Sequence, residues 1–172
     1  MNDRKLTGVA RNFRDDELIV SKTDLQGRIT YCNDVFMRMA GYRESELLGA
    51  PHSIVRHPDM PRCVFKLLWD TIESGKEIFA YVLNRTKSGD HYWVFAHVTP
   101  DIDSGGKVTG YHSNRRTVEP RVIPVVQGLY AQLREEEARH SERKAGIAAA
   151  TNMLLQTLAA KGVSYEQFVL SL

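Results

Sequence analysis

Two cysteines, Cys32 and Cys63, are all that the 172 residues contain. That is too few for a disulfide framework, and no Cys-x-x-Cys or Cys/His cluster accompanies them. They read as small buried hydrophobes rather than redox or metal groups. No stretch approaches the roughly 18 to 20 apolar residues that a membrane-spanning helix needs. The N-terminus, MNDRKLTGVARNF, lacks the apolar core of a signal peptide, so a reducing cytoplasm is the expected location. An excess of one charge is missing too: 23 Lys and Arg face 21 Asp and Glu, a net +2. Bulk electrostatics therefore call for neither nucleic acid nor an anionic membrane. Also absent are a Ser/His/Asp arrangement, a metal-ligand cluster and a phosphate-cradling glycine loop, Ser104-Gly105-Gly106 being a hairpin turn, so no enzyme is expected. There is no internal repeat and no low-complexity tract. What is present is 42% hydrophobic residues, enough for the core of one ordinary domain with an appendage.

Residues 1–17 are polar and without a sustained period, an N-terminal arm with at most one helical turn around Leu6 to Phe13. From Leu18 to Thr23 the chain is rich in β-branched residues. Asp24-Leu25-Gln26-Gly27 supplies a turn, and Arg28 to Cys32 alternates, which together predict a β-hairpin. Asn33 stands where a helix is capped, ahead of the apolar stripe Val35, Phe36, Met39, Ala40 that Gly41 stops. Ser45 to Gly49 is a further helical turn. Val64, Phe65, Leu68, Trp69 and Ile72 recur at three and four residues, predicting a helix from Pro61 to Gly75. Glu77 to Arg85, His91 to Thr99 and Val108 to Val118 read as three strands joined by glycine-bearing turns. The pattern is α+β: one five-stranded antiparallel sheet over residues 18–119, with short helices grouped on one face. Pro120 and Pro124 open a helical extension, 120–172. It comprises helices over Val125 to Arg143 and Ile147 to Ala160, then a short one capped by Ser164. The broad apolar face of residues 147–158 wants a partner, either a second copy or the chain's own helices folded back as a hairpin.

The stretch Leu47 to Pro61, LLGAPHSIVRHPDMP, reads as a ligand-site segment or as a solvated surface loop. Three prolines exclude a long regular helix and remove backbone donors, while Arg56, His57 and Asp59 set opposite charges side by side. The helix that follows offers unpaired N–H groups to an anion lodged near Arg56 and Arg62.

The order of strands and helices over 18–119 resembles the PAS fold, and several stretches resemble something narrower. Thr23 to Phe36 (TDLQGRITYCNDVF), Gly41 to Pro61 (GYRESELLGAPHSIVRHPDMP), Trp69, Asn84 to Val94 (NRTKSGDHYWV) and Gly110 to Arg115 (GYHSNR) are similar to PAS domains of the bacterial aerotaxis receptor type. That resemblance implies a sensory module binding FAD non-covalently and sensing oxygen indirectly through the flavin's redox state. It implies roles in FAD binding for Asn33, Arg56, His57, Asp59, Trp69 and Asn84. Asn84 has an independent rationale, since one amide supplies the paired donor and acceptor that an isoalloxazine edge needs. Trp69 would wall a planar ring, and Arg56 would hold a phosphate or ribose oxygen with Asp59 orienting it. Each residue also has an ordinary reading: Trp69 as core, Asn33 as helix cap, His57 as a loop histidine paired with Asp59. The blue-light flavin domains share the strand start seen in Asn84 to Lys87. Their reactive cysteine falls at His52, so no adduct can form. Their second asparagine falls at Val94 and their last-strand glutamine at about Arg115. If it faces inward, a cationic Arg115 favours the reduced, anionic form of the ring.

The expected output runs through the helices after Pro120 to a homodimer mate or an unidentified signalling partner. Two alternatives stay open: a haem-binding PAS gas sensor with His57, His52 or His112 as axial ligand, and a cofactor-free PAS interaction module.

Overall fold

The computed structural model describes residues 5–172. Its sheet is built from β1 (Ile19–Thr23), β2 (Ile29–Cys32), β3 (Ile78–Arg85), β4 (His91–Ile102) and β5 (Val108–Arg116). All pairings are antiparallel and the order is β2-β1-β5-β4-β3. The last strand is therefore central, held by β1 on one side and β4 on the other. Between β2 and β3 come α1 (Asp34–Ala40), α2 (Glu44–Leu47), a single 3-10 turn (His52–Val55) and α3 (Arg62–Glu73). This is the expected α+β architecture, with the short helices over one face of the sheet.

Alternation along each strand decides what that face presents. In β4 Tyr92, Val94, Ala96 and Val98 are buried while the residues between them are partly exposed. The register puts Ala96 beside Arg115 and Val98 beside Ser113 on β5, and Ile19 beside Arg115 on β1. With Phe36, Leu47, Val55, Val64 and Ile72 from the helices, the apolar members of these rows form the core.

β3 is buried on both faces. Ile78, Ala80, Val82 and Asn84 turn toward the helices, and the odd-phase Tyr81 and Leu83 are buried as well. The cover on that second face is the C-terminal extension: α4 (Val122–Ala138), α5 (Arg143–Ala160) and α6 (Tyr165–Ser171). Tyr130 of α4 donates to the Tyr81 carbonyl at 2.7 Å, and Tyr81 Oη donates to the Val169 carbonyl of α6 at 3.4 Å. Of the two partners envisaged for the apolar face of 147–158, the chain's own body takes much of it. Gly146, Ala150, Leu154 and Leu158 are buried, with α5 lying along both α4 and α3. Gly146 permits this, because a Cβ there would meet the Glu137 carbonyl oxygen at 2.5 Å. The large apolar residues these helices leave exposed are Val125, Leu155 and Leu170.

Three local expectations are corrected. Leu6 to Phe13 contains no helical turn. The arm runs extended and parallel to the start of β4, exchanging backbone bonds with Gly89 and His91, because that strand end still has free backbone groups to offer. α4 begins at Val122, not Val125, since Pro124 in a first turn removes only a donor that has no helical acceptor. It ends at Ala138, five residues short of Arg143, where α5 begins.

Candidate functional site

Between the sheet and the segment from the 3-10 turn to α3 lies a cavity of about 370 Å³. That is at the small end of the roughly 300 to 1,000 Å³ usual for small-molecule sites. Apolar walls come from Phe65, Leu68, Trp69 and Ile72 of α3 and from Val82, Ala96 and Val98 of the sheet. Trp69 stands edge-on to Tyr111, ring centroids 5.5 Å apart. Its indole also rests on the β1–β2 turn at Gly27, where φ is +74° and a Cβ would come within 2.8 Å of the ring. Glycine is required there twice over, for its backbone angle and for the space.

Of the polar side chains that line the cavity, Ser21, Asn84 and Arg115 are buried. Arg115 is 2% exposed, and burial, the main cause, lowers its pKa to about 10. Its Nη2 donates to Ser21 Oγ and its guanidinium lies 4.6 Å from the Phe36 ring centroid. Nε and Nη1 are buried without a hydrogen-bond partner, and no carboxylate pairs with the charge among the described residues. Because Ser21 accepts from Arg115, its own proton is free for His52 Nε2, 3.0 Å away. Burial first, then the charge of Arg115, pushes the His52 pKa down to about 3, so this imidazole is neutral. It also stacks on Phe36, ring centroids 5.7 Å apart. The Asn84 side chain lines the cavity, 3% exposed, and its amide has no hydrogen-bond partner among the described residues. Arg56 also reaches the cavity. Its guanidinium packs 3.7 Å over the Phe65 ring and its Nε is buried and unpartnered.

Of the seven residues singled out from the sequence, Arg56, Trp69, Asn84 and Arg115 line this one cavity, and Asn33, His57 and Asp59 do not. Asn33 caps α1: its Oδ1 accepts from the Phe36 and Val20 N–H groups and its Nδ2 donates to the Leu18 carbonyl. His57 is buried beside His91, and its Nδ1 accepts from the Asp59 backbone N–H at 3.1 Å. Asp59 does not orient Arg56. Its carboxylate pairs with Arg134 of α4, which the fold-back of the extension brings to it. The N-terminus of α3 is likewise not open to an anion at its second residue, because the Cys63 N–H donates to Glu137 of α4 at 2.8 Å. Sequence reasoning missed Ser21, although its phase with Ile19 in β1 was a signal that it points inward. It had no means of finding Glu137 and Arg134 as neighbours of the 56–63 segment.

Of the three histidines considered as haem ligands, His52 and His112 line the cavity and His57 does not. Both cavity imidazoles have Nε2 engaged, His52 with Ser21 and His112 with Asn114 at 3.1 Å. Among the described residues no helix is long and apolar enough to cross a membrane, and no group of three or more metal-ligating side chains assembles.

Comparison with known proteins agrees with this architecture. A family profile described as the PAS fold matches residues 29–115. The chain is 44% identical over 119 residues to the aerotaxis receptor of Escherichia coli strain K12, covering 69% of this chain and 23% of that protein. It is 26% identical over 99 residues to a nitrogen fixation regulatory protein of Klebsiella pneumoniae, covering 58% of this chain and 20% of that one. The chain thus spans about a quarter or less of these relatives. Among solved structures, the light state of the blue-light photoreceptor Aureochrome1 LOV superposes with a TM-score of 0.57 at 23% identity, over 62% of this chain and 86% of that one. An RNA-binding light-oxygen-voltage receptor gives 0.58 at 22% identity, over 66% and 33%. These two show a shared fold.

Proposed function

This chain belongs to the PAS fold family, and we propose that it is a cytoplasmic sensory module that holds FAD non-covalently in the cavity and senses redox state, and so oxygen indirectly. The observation that carries this reading is the buried guanidinium of Arg115, whose Nε and Nη1 have no partner and which has no counter-charge among the described residues, lining the same cavity as the Asn84 amide, which makes no side-chain hydrogen bond among the described residues. Buried polar groups without partners are rare, and two around one cavity call for a ligand that presents acceptors to Arg115 and both a donor and an acceptor to Asn84. A planar heteroaromatic ring of the flavin type meets that demand, with Trp69, Leu68 and Val98 as its walls. The cavity suits the ring, and the dinucleotide's remaining length would leave past Arg56. When bound, a flavin supplies a reversible redox centre.

Arg115 sets a fixed positive charge in a poorly solvated site and thereby favours the more negative of two states of whatever lies against it. Asn84 and Arg56 face each other in a backbone bridge at the outer edge of β3. One residue before Asn84, Leu83 donates its N–H to Met60 Sδ at 3.2 Å. The segment then continues to Asp59 and Cys63, which Arg134 and Glu137 of α4 hold. A change in the contacts of Asn84 or Arg56 therefore falls on the segment that seats the C-terminal helices, the arrangement a population shift requires. The relatives' names, an aerotaxis receptor and a nitrogen fixation regulatory protein, support a signalling output to a downstream protein. A homodimer through the helices after Pro120 would draw on Val125, Leu155 and Leu170.

The test is the absorption spectrum of the purified protein in air, after dithionite and after heat release, beside that of Asn84→Ala. We expect a flavin spectrum that bleaches on reduction, FAD in the released supernatant, and a weakened or lost chromophore in the variant. A Soret band would replace flavin with haem. Colourless protein that refuses added FAD would leave an interaction module.

A further inference from the structure

The extension packed on the PAS body places a second set of charges beside the cavity. α3 begins at Arg62 and α5 at Arg143. The two starts are brought together because Glu137 caps the Cys63 N–H, Gly146 seats on the Glu137 backbone, and α5 lies along α3. Arg56 lies at the same corner, over Phe65 of the first turn of α3. Other arginines of the extension are engaged: Arg134 with Asp59, Arg139 with Glu135 and Glu136, and Arg121 with Glu119. Arg56, Arg62 and Arg143 form no ion pair among the described residues, and Glu137, the carboxylate brought to this corner, is engaged by a backbone N–H. The charges of Arg143 and Arg62 reach Arg56, where they add to burial in lowering its pKa. Three like charges converging with no carboxylate paired to any of them are unfavourable for the protein alone and favourable for a polyanion.

We infer that Arg143 and Arg62 join Arg56 in an anion site beside the cavity, and that its ligand is the diphosphate of the bound dinucleotide. This rests on the flavin reading above and deepens it. The cavity holds a ring, Arg56 stands on the way out, and the helical extension supplies the charge that distinguishes a dinucleotide from a bare ring. Arg143 is then a specificity residue donated from outside the region matched by the family profile, 29–115.

The experiment uses the full chain, with Arg143→Gln as the variant. Arg143 is exposed and forms no ion pair among the described residues, so an unchanged melting temperature is expected and is checked first. Affinities for FAD and for riboflavin, which lacks phosphate, are measured by titration, and inorganic pyrophosphate is titrated separately without flavin. The expected result is a loss of about tenfold for FAD, the scale of one charge-assisted contact. Riboflavin should be unaffected, and pyrophosphate binding should weaken in parallel. An equal effect on FAD and riboflavin, or none on either, overturns the assignment, as does a chain that binds no pyrophosphate. Arg143-dependent pyrophosphate binding without any flavin binding would keep the anion site and remove the flavin reading.

Discussion

Replacing Arg115 by methionine should stabilise the ligand-free protein while impairing ligand binding. The guanidinium is 2% exposed, and its Nε and Nη1 have no partner. An unsatisfied buried donor costs about 1 to 3 kcal/mol, and removing a charge from water costs several kcal/mol more. Against this stand one charge-assisted bond to Ser21, worth about 1.5 to 3 kcal/mol, and the contact with Phe36 at 4.6 Å, about 0.5 to 2 kcal/mol. Methionine keeps an unbranched apolar stem in the same space. The balance favours Arg115→Met by about 2 kcal/mol, which for a chain of this length is roughly 4 to 8 °C in melting temperature. Differential scanning fluorimetry of flavin-free protein measures it directly. Adding FAD should reverse the order: at a hundred times its Kd a ligand stabilises wild type by about 2.7 kcal/mol, whereas the variant should gain far less. A ligand-free variant that melts several degrees below wild type would refute the reasoning, since it would mean that Arg115 is structurally satisfied without a ligand.

Other perturbations test the surrounding architecture. Gly27→Ala combines a φ of +74° with a Cβ 2.8 Å from Trp69. It should cost on the order of 1 to 3 kcal/mol and shift the tryptophan emission as the indole is displaced. Tyr130→Phe leaves the Tyr81 carbonyl without its 2.7 Å donor and should destabilise by about 1 to 3 kcal/mol, with proteolysis of α4 to α6 rising before the sheet unfolds. His52, with a folded pKa near 3 against an ordinary 6.5, takes up its proton more readily in the unfolded chain. Its contribution is complete above pH 6.5 and is lost as pH falls toward 3, on the order of 1 kcal/mol by pH 5 after allowance for partial exposure. Burial lowers the His57 pKa too and acts with the same sign. The measurement is therefore the difference in acid sensitivity between wild type and His52→Gln, and equal slopes would reject the assignment to His52.

Local chemistry made most elements legible. The stripe from Val64 to Ile72, the cap at Asn33 and the alternation from Tyr92 to Val98 each lie within a few residues of one another, and helix and strand periods express themselves at that range. The candidate site was legible where a residue's inward direction followed from such a period. Asn84, in phase with Val82, and Trp69, on the α3 stripe, both line the cavity. Arg115 was harder to place. Strand phase near Ser113 is ambiguous along β5 alone, and pairing with both Ile19 and Ala96 turns Arg115 inward.

By itself, then, the sequence determined the element types, their order and the PAS likeness, because propensity, capping and hydrophobic period are short-range and written in the residues concerned. Only the tertiary structure decided partners. Asp59 meets Arg134 and Glu137 caps the Cys63 N–H across 75 and 74 positions of chain, and Asn33, His57 and Asp59 lie outside the cavity that Arg56 enters. Such contacts depend on how whole elements pack. A helix pattern states that α5 has an apolar face, but the space at Gly146 and the open second face of β3 settle what that face covers.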